Sequence, residues 1–161
     1  FTELVQAQSC LETNAAPIDY TWSGYFERQL DETGQSIAIP PLKKFTSEPL
    51  EKLKETFGKE IFTKAVIDLM LGMVGDNKAL FKVIERTRER SEDEVGYVGG
   101  NAVTLMVKVD NCAIENRDLS DTVILGADFS NVVLRNVNFT QANLSNSVFT
   151  DTLSISAVRS S

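Results

Sequence analysis

From Cys112 onward the chain repeats itself every five residues. Ile114, Leu119, Ile124, Phe129, Leu134, Phe139, Leu144 and Phe149 are large apolar residues in a single frame. Two positions before each stand Cys112, Arg117, Thr122, Ala127, Val132, Val137, Ala142 and Ser147, all small or β-branched except Arg117. The positions between them favour Ser, Thr, Asn and Asp. A helix buries one face at a period of 3.6 residues and a strand at 2.0, so neither gives a period of five. A backbone that turns a corner every five residues does. Self-similarity at a fixed period outranks local propensity as evidence for a fold.

The units Ala127-Asp128-Phe129-Ser130-Asn131 and Ala142-Asn143-Leu144-Ser145-Asn146 show the pattern best. Over about residues 112–153 the sequence resembles the pentapeptide-repeat family. The resemblance implies a right-handed quadrilateral β-helix with four pentapeptides per turn, the large residues filling its interior. Eight units then make about two turns, stacked at the inter-strand spacing of ~4.8 Å. Residues twenty apart should stack: Ile114 with Leu134, Leu119 with Phe139, Ile124 with Leu144, and Phe129 with Phe149. The frame fails at both ends, because Ser154 stands where a large residue belongs and Arg117 exceeds its inward slot. Asn138-Phe139-Thr140 and Asn143-Leu144-Ser145 match glycosylation acceptors only because the repeat generates that spacing.

Such a short coil exposes its edges and needs capping. The expected fold is therefore α+β, a small helical N-terminal region of about three helices capping the β-helix. Ser47 and Pro49 open one helix, bearing Leu50, Leu53 and Phe57 and ended by Gly58. Ile61, Phe62, Ala65, Val66, Leu69, Met70 and Met73 outline a second with a wide apolar face, stopped at Gly75. Asp76 caps a third, carrying Leu80, Phe81, Val83 and Ile84, whose end from Glu85 to Arg90 reads as charged and solvated. Ser91–Gly100 reads as an acidic, glycine-rich hinge, and its Glu92-Asp93-Glu94 as a solvated loop in preference to a cation site. Val103, Leu105, Val107 and Val109 alternate with Thr104, Met106 and Lys108, the pattern of a strand. Residues 1–45 form an extended N-terminal arm, with a turn at Asp31–Gln35 and a short helix around Gly24–Leu30. The expected organisation is arm 1–45, helical cap and hinge 46–100, solenoid 101–154 and tail 155–161.

The 161-residue chain has no histidine and only two cysteines. No Ser-His-Asp or Cys-His system can be built from it, nor a His-ligated metal or haem site. Two thiols cannot hold a four-thiolate cluster. An enzyme would have to work with Asp, Glu, Lys or Tyr, and Glu85, Glu89 and Asp93 on one helix edge imply no apolar pocket. No cofactor or metal site is expected. The net charge of −7 disfavours nucleic acid and anionic lipid. The longest apolar stretch, Ala65–Val74, is about half of the roughly 20 residues a membrane-spanning helix needs. Phe1 in place of an initiator methionine points to a processed chain or a fragment.

Two groups of residues are candidates for contact. Tyr20, Trp22, Tyr25 and Phe26 cluster in the arm and either anchor it or meet a partner. Val123 and Leu125 flank Ile124 on the outside of the coil and pack either beneath the arm or against a partner. Cys10 and Cys112 are either a disulfide, worth ~4 kcal/mol for so long a loop, or two reduced thiols. A disulfide would place the chain in an oxidising compartment. These features point to a non-catalytic structural, assembly or protein-interaction subunit of a larger complex, meeting membranes only through its partners. The resemblance adds a photosynthetic setting, thylakoid lumen or chloroplast. Its alternative is a bacterial cytoplasmic regulator that binds a target enzyme such as a topoisomerase. The coil, with three basic and five acidic residues after Asn111, is nearly neutral and a poor imitation of DNA.

Overall fold

The computed structural model describes residues 46–74, 77–155 and 158–159, together with two short strands near the N-terminus. Those strands, β1 (Arg28–Leu30) and β2 (Ser36–Ala38), pair antiparallel with Leu30 opposite Ser36. The helix expected around Gly24–Leu30 is thus a strand over Arg28–Leu30, its backbone groups paired across to β2. The rest of the expected arm, including Cys10, Tyr20, Trp22, Tyr25 and Phe26, lies outside the described residues.

Five helices, not three, are described between residues 50 and 109: α1 (Leu50–Glu55), α2 (Lys64–Leu71), α3 (Asn77–Glu85), α4 (Glu92–Val95) and α5 (Val98–Val109). Pro49 precedes α1, where its missing N–H costs nothing. Thr63 caps α2 by accepting from the Val66 N–H at 3.5 Å. The acidic run expected as a loop is α4, because Ser91 and Glu94 close a capping box, with the Ser91 N–H donating to Glu94 Oε2 at 2.8 Å.

The strand expected over Val103–Val109 is the second half of α5. Its alternation has no facing meaning, because Thr104 and Met106 are buried together with Val103, Leu105 and Val107. A segment enclosed on every side reads as a continuous apolar run and does not reveal its period. The expected boundary between residues 100 and 101 falls inside α5, so the helical part extends to Val109 and the coil starts beyond Asp110.

In the coil, Asp118 pairs with Asn138, Val123 with Asn143, Asp128 with Val148 and Val133 with Leu153. Each pair is parallel and twenty residues apart, with one pairing position per five-residue repeat and four per turn. The regular strands within it are β3 (Val133–Arg135) against β5 (Leu153–Ile155) and β4 (Asn138–Phe139) against β6 (Val158–Arg159). The corners explain the period. Asn116, Asp121, Gly126, Asn131, Asn136, Gln141, Asn146 and Asp151 all have φ between 52° and 65°. Left-handed backbone costs other L-residues roughly 1–2 kcal/mol, and Gly, Asn and Asp tolerate it best. Seven of these eight corners carry one of those three residues, so the polar positions of the repeat are set by backbone conformation as much as by solvent.

Ile114, Leu119, Ile124, Phe129, Leu134 and Phe139 are fully buried, while Leu144 and Phe149 are half-buried. Phe129 and Phe149 stack with centroids 4.7 Å apart, and Phe139 meets Phe129 edge-on at 5.8 Å. The first unit departs from the pattern. Residues 111–116 form turns, Cys112 is exposed instead of filling a small inward slot, and Arg117 lies outside with its guanidinium 4.5 Å from the Phe81 ring centroid. Helical and coil interiors are one continuous core, running from Leu53 and Leu80 through Leu105 to Phe139.

Candidate functional site

The two ends of the coil differ, and the difference begins with a pair of glycines. Gly99 and Gly100 lie in the first turn of α5, where a Cβ would strike the carbonyl oxygens of Val123 and Leu125 respectively. Their lack of side chains lets α5 lie directly on the coil backbone. From that position the Thr104 hydroxyl accepts from the Asp128 N–H at 3.0 Å and donates to the Gly100 carbonyl at 2.8 Å. Thr87, fully buried after α3, accepts from the Val123 N–H at 3.2 Å and donates to the Ile84 carbonyl at 2.7 Å.

The carbonyls of the same edge are met as well. Arg88 donates to the Ser120 and Asp118 carbonyls at 2.5 and 3.0 Å, and the Glu89 N–H donates to the Asp121 carbonyl at 2.8 Å. The first edge of the coil is therefore closed by hydrogen bonds from the helical cap. The segment expected to be charged and solvated, Glu85–Arg90, closes it together with Thr104 of α5. Arg86 also turns inward and holds the carbonyls of Thr46 and Glu48 at 3.1 and 2.6 Å.

Val123 and Leu125 are not an exposed patch. They are buried against Val95, with Leu50 and Tyr97 packed beside them, so the helical cap covers them. Cys112 carries a free, exposed thiol. Partial desolvation, then the Glu115 and Asp110 carboxylates, push its titration upward, which keeps it protonated and a weak nucleophile at neutral pH.

Two clefts flank the cap. One, of about 700 Å³, lies between α1 and the Arg86–Arg90 segment; Lys54 crosses it to the Asp93 carbonyl at 2.6 Å, and Arg90 pairs with Glu94 at 3.2 Å. The other, of about 500 Å³, has an apolar wall of Ile61, Phe62, Ile67 and Leu71, with the ion pairs Lys64–Asp68 and Lys108–Asp128 at its rim.

Among the described residues three carboxyls are held below their ordinary range. Glu94 and Asp118 are lowered first by the backbone N–H groups of Ser91 and Ser120. For Asp128 burial is the largest influence and acts upward, but the Lys108 ammonium at 2.7 Å and the Ser130 donors together prevail. All three are anions at neutral pH, with no proton to give. Among the described residues no group of three or more His, Cys, Asp or Glu side chains could hold a metal ion, and no helix is long and apolar enough to cross a membrane.

Towards the opposite edge the last pairings among the described residues are those of β5 and β6. One turn earlier, the N–H groups of Ile124, Gly126 and Asn131 donate to the carbonyls of Asn143, Ser145 and Thr150 at 2.8–2.9 Å. Their counterparts on Leu144, Asn146 and Asp151 make no such bond among the described residues. Val148 and Leu153 are 49% and 63% exposed there.

The period, the twenty-residue pairing and the left-handed corners now stand together. Residues 118–151 match the pentapeptide-repeat family, in eight copies. The pentapeptide repeats thus occupy the coil after its irregular first unit and leave the helical cap outside. The chain is also 63% identical over 127 residues, 79% of its length, to an uncharacterized WD repeat-containing protein of Nostoc sp.. It spans 8% of that relative's length. No solved structure matches the chain.

Sequence reasoning singled out neither Thr87, Thr104 nor Arg88. Their signal was present in Gly99-Gly100 directly before a nine-residue, mostly apolar run, a pairing that marks close backbone approach.

Proposed function

We propose that the chain is a non-catalytic protein-interaction module, a right-handed quadrilateral β-helix sealed at one end by helices. The observation that carries this reading is the repeat coil itself, matched in eight copies over residues 118–151 and closed at its first edge by Thr87 and Thr104. Repeat coils expose extended, rigid surfaces suited to contact. The relative supports work within a larger assembly, since a protein more than ten times the length of the shared region contains it. A thylakoid-lumen or chloroplast setting is proposed on the family resemblance alone, and cell fractionation tests it. The alternative, a regulator that binds a topoisomerase, is weakened by the near-neutral coil, and inhibition of supercoiling would favour it.

The test is affinity capture of the tagged chain under native conditions, followed by sizing. A partner recovered in fixed stoichiometry supports the reading. A chain present only as a free monomer contradicts it.

A further inference from the structure

Helix α2 is more apolar than its own burial requires. Six of its eight residues are apolar, and a helix of that kind is ordinarily enclosed on every side. That holds for α5, whose residues Val98–Val107 are all buried. In α2 only Met70 is buried. Val66, Ile67 and Leu71 reach the core with one side, while Lys64, Ala65 and Asp68 are exposed. Ile61, 46% exposed just before the helix, and Leu71 at its end line the cleft of about 500 Å³ of which α2 is one wall.

The charges of this face are ordered by sign. Lys64 Nζ lies 2.9 Å from Asp68 Oδ2, with the two side chains 88% and 57% exposed. So exposed a pair within one helix contributes only about 0.3–0.5 kcal/mol. The order matters more between helices. Two copies of α2 laid antiparallel about a two-fold axis at Val66 bring Lys64 of each against Asp68 of the other, because both stand two residues from the axis. The same axis sets Ile61 of each beside Leu71 of the other, and the small Ala65 next to the axis lets the backbones approach.

We infer that α2 is an isologous interface, on which a second copy of this chain docks its own α2 antiparallel. The four charges then alternate around the axis, each Lys64 between its own Asp68 and that of the other copy. Ile61 and Leu71 exchange water for apolar side chains. Eight residues of helix span only ~12 Å, and the face they offer is smaller than the ~800 Å² per partner of a standard interface. The dimer is therefore a weak one, in the micromolar range. This goes beyond the interaction reading: the face lies on the cap, and the inference holds whether or not a foreign partner is captured.

Sedimentation of the purified full chain, with no other protein present, tests it. A monomer–dimer equilibrium with a micromolar dissociation constant is the expected result. Lys64→Asp and Asp68→Lys should each weaken the dimer about tenfold or more with unchanged circular dichroism, because like charges then face each other across the axis. Mixing the two variants should restore association, since each then meets the opposite charge, although the pair within each helix stays broken. A role confined to that intrahelical pair gives no recovery on mixing. Three results would overturn the interface: a chain monomeric at near-millimolar concentration, its α2 covered instead by residues before Arg28 or by a foreign segment; a dimer that neither variant weakens; or variants that stay apart when mixed.

Discussion

The Thr104 hydroxyl stands 3.0 Å from the Asp128 N–H and donates its own hydrogen bond to the Gly100 carbonyl, so a residue in the middle of α5 closes one side of the coil. Thr87 does the same for Val123 from the end of α3. Two hydroxyls and one arginine thereby do for this edge what another turn of backbone would do. Helix and coil share their core and also their hydrogen-bond accounting.

Replacing Thr104 by Val keeps the shape and removes the acceptor. The part-buried Asp128 N–H then lacks its partner, at a cost of up to about 1–3 kcal/mol. Thr104→Ser should lose much less. Urea denaturation of the two variants measures the difference, and equal midpoints would show that the contact contributes nothing.

Gly100→Ala should destabilise although alanine is the better helix former by about 1 kcal/mol. The added methyl meets the Leu125 carbonyl, backbone that has no room to yield. The expected net loss is about 1–3 kcal/mol, typical of overpacking. Thermal unfolding followed by circular dichroism decides the sign.

The corners predict a third pattern. Asn131 sits at φ 62° and is exposed. Asn131→Val should cost about 1–2 kcal/mol, the penalty of left-handed backbone, whereas Asn131→Gly should stay within about 0.5 kcal/mol. Similar losses for both would mean that the side chain, not the backbone angle, stabilises the corner.

Acid should loosen the junction. Glu94, Asp118 and Asp128 have lowered pKa values in the folded chain, so near the ordinary carboxylate range of about 3.9–4.3 the unfolded chain binds more protons. Their contribution is complete above that range and is lost as pH falls through the lower folded-state values. Unfolding midpoints measured from pH 7 down to 3 should drop in the acid limb, with a shallower drop in Asp128→Asn.

How far the sequence reveals this arrangement depends on what each residue has to satisfy. Phe129 and Phe149 declare their stacking because every unit meets the same constraint and repetition multiplies a weak signal. Val103–Val107 conceal a helix because burial on every side erases the period. Gly99 and Gly100 look like a hinge for the same reason they are useful: they lack side chains, and only the nearby Val123 and Leu125 carbonyls show why. Val123 and Leu125 stand out as an apolar pair, but what covers them, Val95 and Leu50, comes from distant parts of the chain.

The central claim is that the helical cap seals the first edge of the coil. Residue-resolved amide exchange on the full chain tests it directly. Exchange at Val123 and Asp128 as slow as at Ile124 and Phe129 within the ladder is the predicted result. Fast exchange at Val123 and Asp128 would contradict it.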